Sequence, residues 1–172
     1  MTISDLTDLY AHMEWADQTV WDTALSFPAG SDDGAVLDAF LHLHATQKAF
    51  LCLWKGLPVT LPERSEFESA SAIRAWASGY YSEARDFIGS RDDADLESVV
   101  EIPWAKHFTR RVGKTPEAVS LEQTAYQVVA HSQYHRGQIN RRLRELGAVP
   151  PLVDYIAWLW FDRPESTPER SE

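Results

Sequence analysis

His131 and His135 stand four residues apart in the segment VVAHSQYHRGQI, from Val128 to Ile139. On a helix that spacing stacks two imidazoles on one face, where both rings can turn toward a single ion. Leu121, Ala125 and Val128 precede them at helical steps, and the stripe continues through His131 or Ser132, His135 and Ile139. The pair is therefore expected to face inward. Buried imidazole nitrogens need partners, and a divalent metal supplies one to each ring while holding the pair neutral. Core histidines bonded to hydroxyls and carbonyls are the alternative that the spacing leaves open.

A firm site needs a third ligand, and the apolar segment FLHLHATQKAFLCLWKG offers His42 and His44. These lie about 200° apart on a helix, so only one can face a given centre. The chain has no HExxH motif, and no histidine has a Glu three residues before it, which excludes the zinc-protease and di-iron carboxylate designs. What remains is mononuclear, histidine-based coordination. His12 is expected at the surface or beside the ligands, and His107, in the irregular stretch AKHFTRR, in a solvated loop. Cys52 has apolar neighbours and no cation to lower its pKa, so it reads as a small buried hydrophobe. Arg136 reads as a structural contact or a surface ion pair.

Four helices must position these residues. The first is expected from about Ser4 to Ser26, with Leu6, Leu9, Met13, Ala16, Val20 and Ala24 at three- and four-residue steps, ended by FPAGSDDG. The second, from about Ala35 to Lys55, is apolar around much of its circumference and so central. The third starts near Ser69 as N-cap, with Ile73, Trp76, Ala77, Tyr80, Tyr81, Ala84, Phe87 and Ile88 on one stripe. The fourth starts near Ser120 and stops at Gly147 and the Pro150-Pro151 pair. Between the third and fourth, the 28 residues from Asp92 to Val119 form a long connection with VVEIPW as a short strand and VGKTPE as a turn, a crossover or a cover. The apolar piece DYIAWLWF docks on the bundle. The expected architecture is all-α: one four-helix domain over residues 1–162 and a polar tail over 163–172.

Composition agrees with one domain. The chain has 172 residues, 44% hydrophobic and 24% charged, which suits a single well-filled core. One cysteine permits no internal disulfide, and a reducing, cytoplasmic setting fits best. The opening MTISDLTDLY has no basic stretch followed by an apolar one, so neither a secretory leader nor a membrane span is expected. A formal net charge of -10 argues against a nucleic-acid partner, which needs clustered Lys and Arg. The run Trp158, Leu159, Trp160 and Phe161 either closes the bundle or forms a homodimer patch.

The segment from Val128 to Ile139 resembles the signature of the DinB/YfiT-like superfamily of four-helix metal-binding proteins, in which an HxxxHRGQI helix end follows a histidine in helix two. That family is distinct from the DNA polymerase of the same name. FLHLHATQKAFLCLWKG is similar to its second helix, with His42, Phe50 and Gly56 in register where His44 is not, and LYAHMEWADQTVWDTAL resembles its first. The likeness spans residues 3 to 161 or so. It implies His42, His131 and His135 as ligands of one divalent transition metal, zinc first, with nickel, iron or manganese also accommodated. Some members carry a further histidine where this chain has Gln127.

Three neutral imidazoles leave coordination positions open, as in catalytic rather than closed structural zinc sites. The resemblance implies a small-molecule enzyme of thiol-dependent transferase or hydrolase type, with a small thiol as cosubstrate. No catalytic acid or base can be assigned, although Glu14 and Asp17 are candidate neighbours. A non-catalytic metal-binding protein working through stress-linked association is the alternative.

Overall fold

The computed structural model describes residues 1–165. Helix α1 spans Ile3–Ser26, α2 Pro28–Ser31, α3 Gly34–Trp54, α4 Ala70–Gly89, α5 Thr109–Val112, α6 Leu121–Glu145 and α7 Tyr155–Trp160. The fold is all-α, as expected, with one antiparallel pair of two-residue strands, β1 Val99–Val100 and β2 Val119–Ser120, in which Val99 faces Ser120 and Val100 faces Val119. Among the described residues no helix is long and apolar enough to cross a membrane.

Each long helix begins where a side chain takes up an orphan backbone N–H. Thr2 and Asp5 form a reciprocal capping box at α1, and Ser120 and Gln123 do the same at α6. Asp33 caps α3 by accepting from the Val36 amide, and Ser69 caps α4 by accepting from Ala72. The expected starts at Ser69 and Ser120 are these caps. The segment FPAGSDDG does more than break the chain, because Pro28 opens the one-turn helix α2 before Asp33 restarts the next. Gly30 is packed tightly there: a Cβ on it would lie 2.7 Å from Leu143 Cδ2 and 3.2 Å from the Ala24 carbonyl oxygen.

The four long helices close into a cycle of contacts, with α3 against α6, α6 against α1, α1 against α4 and α4 against α3. Three polar links set α3 against α6: Asp33 with Arg142 at 2.8 Å, Gln47 with Ser132 at 3.0 Å, and Trp54 with Thr124 at 3.0 Å. The numbers rise on one helix as they fall on the other, so the two run antiparallel. Two apolar clusters fill the interior. One gathers Leu6, Tyr10, Met13, Phe50, Tyr80 and Val128, and the other gathers Val20, Trp21, Phe40, Leu43, Ile139 and Leu143. In the second, Trp21 stacks on Phe40 with ring centroids 3.6 Å apart.

The long connection packs on the first cluster through Ile102 and Trp104, the latter edge-on to Phe50 at 5.8 Å. The expected strand VVEIPW shrinks to Val99–Val100, because Ile102 to Trp104 leave the ladder to cover the end of the core. Helix α7 docks through Ala157 and Trp158, while Ile156, Trp160 and Phe161 stay exposed. Of the stretch assigned to the polar tail, Arg163 pairs with Asp8 at 3.2 Å and the Pro164 carbonyl accepts from Trp158 Nε1 at 3.1 Å. Residues 166–172 lie outside the described residues.

Candidate metal centre

His42 sits two turns into α3, and His131 and His135 sit on successive turns of α6. The antiparallel pairing brings the exposed face of α3 at His42 opposite them. Ring centroids are 4.3 Å apart for His131 and His135, 4.6 Å for His42 and His135, and 5.2 Å for His42 and His131. One nitrogen from each ring can be chosen so that all three lie within 4.8 Å of one another.

The donor set has the chemistry a metal needs. His131 Nε2 and His135 Nδ1 are buried and have no hydrogen-bond partner among the described residues. Such orphaned nitrogens are uncommon, because an unsatisfied buried polar group is destabilising by about 1–3 kcal/mol. Burial, then the neighbouring His135 and His42, lowers the His131 pKa to about 4, and burial followed by His42 lowers that of His135. At neutral pH both rings are therefore uncharged, the form that ligates metals. The residues present fit a mononuclear three-histidine centre.

The expected inward orientation needs correction. The buried stripe of α6 runs through Val128, Ser132, Arg136, Ile139 and Leu143, while His131 and His135 are half-buried at its edge and His42 is exposed. The centre therefore lies at the rim of the α3–α6 interface, open to solvent on the His42 side. Gln127, where some family members have a further histidine, is exposed.

Behind the rim lies a polar network that sequence reasoning missed. Asp17 on α1 is fully buried, and its carboxylate accepts from Arg136 at 2.6 Å, Gln47 Nε2 at 2.7 Å and the Tyr81 hydroxyl at 2.9 Å. Gln47 Nε2 also donates to Ser132 Oγ at 3.0 Å. Trp21 Nε1 donates to His44 Nε2 at 2.8 Å, which leaves the His44 proton on Nδ1, donated to Gln47 Oε1 at 2.8 Å. His44 is thus a buried, neutral relay, its pKa lowered chiefly by burial. Arg136, expected in a structural contact or a surface ion pair, forms a buried one. The readable signal was a set of polar residues, Asp17, Gln47 and Arg136, each at a position where an apolar stripe should continue.

The other candidates fall elsewhere. His12 is buried rather than exposed: Nε2 hydrogen-bonds the Val153 carbonyl at 2.9 Å, and Tyr155, Trp158 and Trp15 surround the ring. The polar neighbours of His12 on α1 concealed that α7 covers it. His107 is exposed, and Cys52 is half-buried rather than fully enclosed. Asp17, named as a candidate neighbour of the site, has both carboxylate oxygens engaged in the core. Glu14 forms an ion pair with Arg85 and is not among the clustered groups.

A search of curated proteins finds no match for this chain. The sequence model described as the DinB family matches residues 1–170, nearly the whole length, including both helices that carry the three clustered histidines. The chain belongs to the DinB family.

Proposed function

We propose that this protein holds one divalent transition metal, zinc first, with nickel, iron or manganese also fitting, through His42, His131 and His135, and uses it on a small-molecule substrate. The observation that carries this reading is the clustering of three imidazoles, one nitrogen of each within 4.8 Å of the others, with buried nitrogens on His131 and His135 that make no hydrogen bond among the described residues. A bound cation would lower the pKa of a coordinated water or small thiol toward neutrality, supplying a nucleophile for hydrolysis or for thiol-dependent group transfer. The chain's own residues keep two ligand rings neutral through burial and leave one side of the cluster exposed for a substrate to enter.

The alternative, a non-catalytic metal-binding protein, draws support from the carboxylates. Asp17 is sealed in the core and Glu14 is ion-paired, so neither stands ready as a general base. A cytoplasmic location and a homodimer through Ile156, Trp160 and Phe161 remain parts of the proposal, the dimer resting on the exposure of those side chains.

The test is turnover by metal-loaded, chelated and His135→Ala protein, with a small thiol plus an electrophile and, separately, with ester and amide substrates. Turnover by the loaded wild type alone supports the enzyme. Stoichiometric metal without turnover in either screen supports the non-catalytic reading.

A further inference from the structure

Ser132 and Arg136 each follow a histidine of the α6 pair by one residue, so the buried pair repeats the i, i+4 spacing of His131 and His135 about 100° further round the helix. On α3, His44 and Gln47 follow His42 by two and five residues and face the core. All four join the network that ends on the Asp17 carboxylate. We propose that Asp17, with Gln47 and Ser132, forms a set of positioning residues that fixes the register of α3 against α6 and thereby the convergence of His42, His131 and His135. This rests on the reading that the three histidines hold a metal.

Apolar packing is non-directional and tolerates small slides of one helix along another, whereas a fully buried hydrogen-bonded network has few geometries that satisfy every donor and acceptor. Here the polar layer lies between the two apolar clusters along the chain: Asp17 between Met13 and Val20, Gln47 between Leu43 and Phe50, and Ser132 and Arg136 between Val129 and Ile139. Gln47 Nε2 reaches both Asp17 on α1 and Ser132 on α6, so one amide ties the ligand-bearing helices to each other and to α1. The Ser132 hydroxyl that it reaches is one residue from His131. A shift of α6 relative to α3 would break this link and part the rings together.

The test uses Co2+ as the probe on the full chain, reading its affinity by chelator competition and its visible absorption spectrum. The variants are Asp17→Asn, Gln47→Met and Ser132→Ala, with Ile88→Ala as a core substitution outside the network, each measured where cooperative unfolding shows it folded. Residues that orient metal ligands typically change affinity by about 10–100-fold, so Asp17→Asn and Gln47→Met should bind about 10-fold or more weakly with an altered spectrum, and Ile88→Ala should match wild type. Ser132→Ala, which leaves the ion pair whole, should weaken binding at least about 3-fold and carries the test if the other two do not fold. Lower melting temperatures with wild-type affinity and spectrum would overturn the inference while leaving the three-histidine site standing. If wild type takes up no more Co2+ than His135→Ala, the site itself fails, and the positioning role with it.

Discussion

The carboxylate of Asp17 and the guanidinium of Arg136 meet at 2.6 Å with side-chain exposures of 0% and 3%. The pair joins α1 to α6 directly behind the face that carries His131 and His135, and the second carboxylate oxygen binds α3 and α4 through Gln47 and Tyr81. One buried charge pair therefore links all four long helices. Such a pair adds little stability over an apolar replacement, since desolvation offsets most of its attraction, but losing one member strands a charge in the core.

Removal of one partner is accordingly the severe change. Arg136→Met should destabilise the fold by about 3–5 kcal/mol, and the double variant Arg136→Met with Asp17→Leu should cost less than the sum of the two single changes. Urea unfolding of the three variants measures the coupling. Strict additivity would contradict a direct interaction.

Gly30 predicts a steric conflict with a named partner. The Cβ of Gly30→Ala would fall 2.7 Å from Leu143 Cδ2, so the change should destabilise by about 1–3 kcal/mol through overpacking. In a Leu143→Val background, which removes that methyl, the loss should be smaller. An equal loss in both backgrounds would place the strain elsewhere.

Stability should fall in mild acid. Burial lowers the pKa of His12, His44 and His135 from 6.5, and lowers that of His131 to about 4. In the unfolded chain these rings take up protons as pH falls through about 6.5, while the folded state stays neutral longer. The unfolded state then binds more protons, so the stability present above pH 6.5 is lost progressively toward pH 4. Urea midpoints measured in chelator should be lower at pH 5 than at pH 7, and equal midpoints would contradict the assignment.

The helices were legible because their signals are local. Ser69 and Ser120 precede apolar periodic runs and cap them, and Gly147, with φ of 101°, follows the last turn of α6. The spacing of His131 and His135 was equally local. Their exact face was not, because the α6 stripe offered His131 or Ser132 at the same step, and it is contacts from other helices, the Gln47 amide on Ser132 among them, that turn Ser132 inward. The Asp17 hub escaped for the same reason: its three donors lie 30, 64 and 119 residues away along the chain. The burial of His12 depends on α7 and the Val153 carbonyl, 141 residues distant.

Elemental analysis of protein purified without an affinity tag counts the metal that three histidines are proposed to hold. Wild type should carry about one zinc, nickel, iron or manganese per chain, or take one up on incubation, consistent with a single mononuclear site. His42→Ala and His135→Ala should each lose it, while His107→Ala, altering an exposed residue outside the cluster, should retain it. Wild type that stays empty with every one of these metals, or His42→Ala that binds as wild type does, would rule out the three-histidine site.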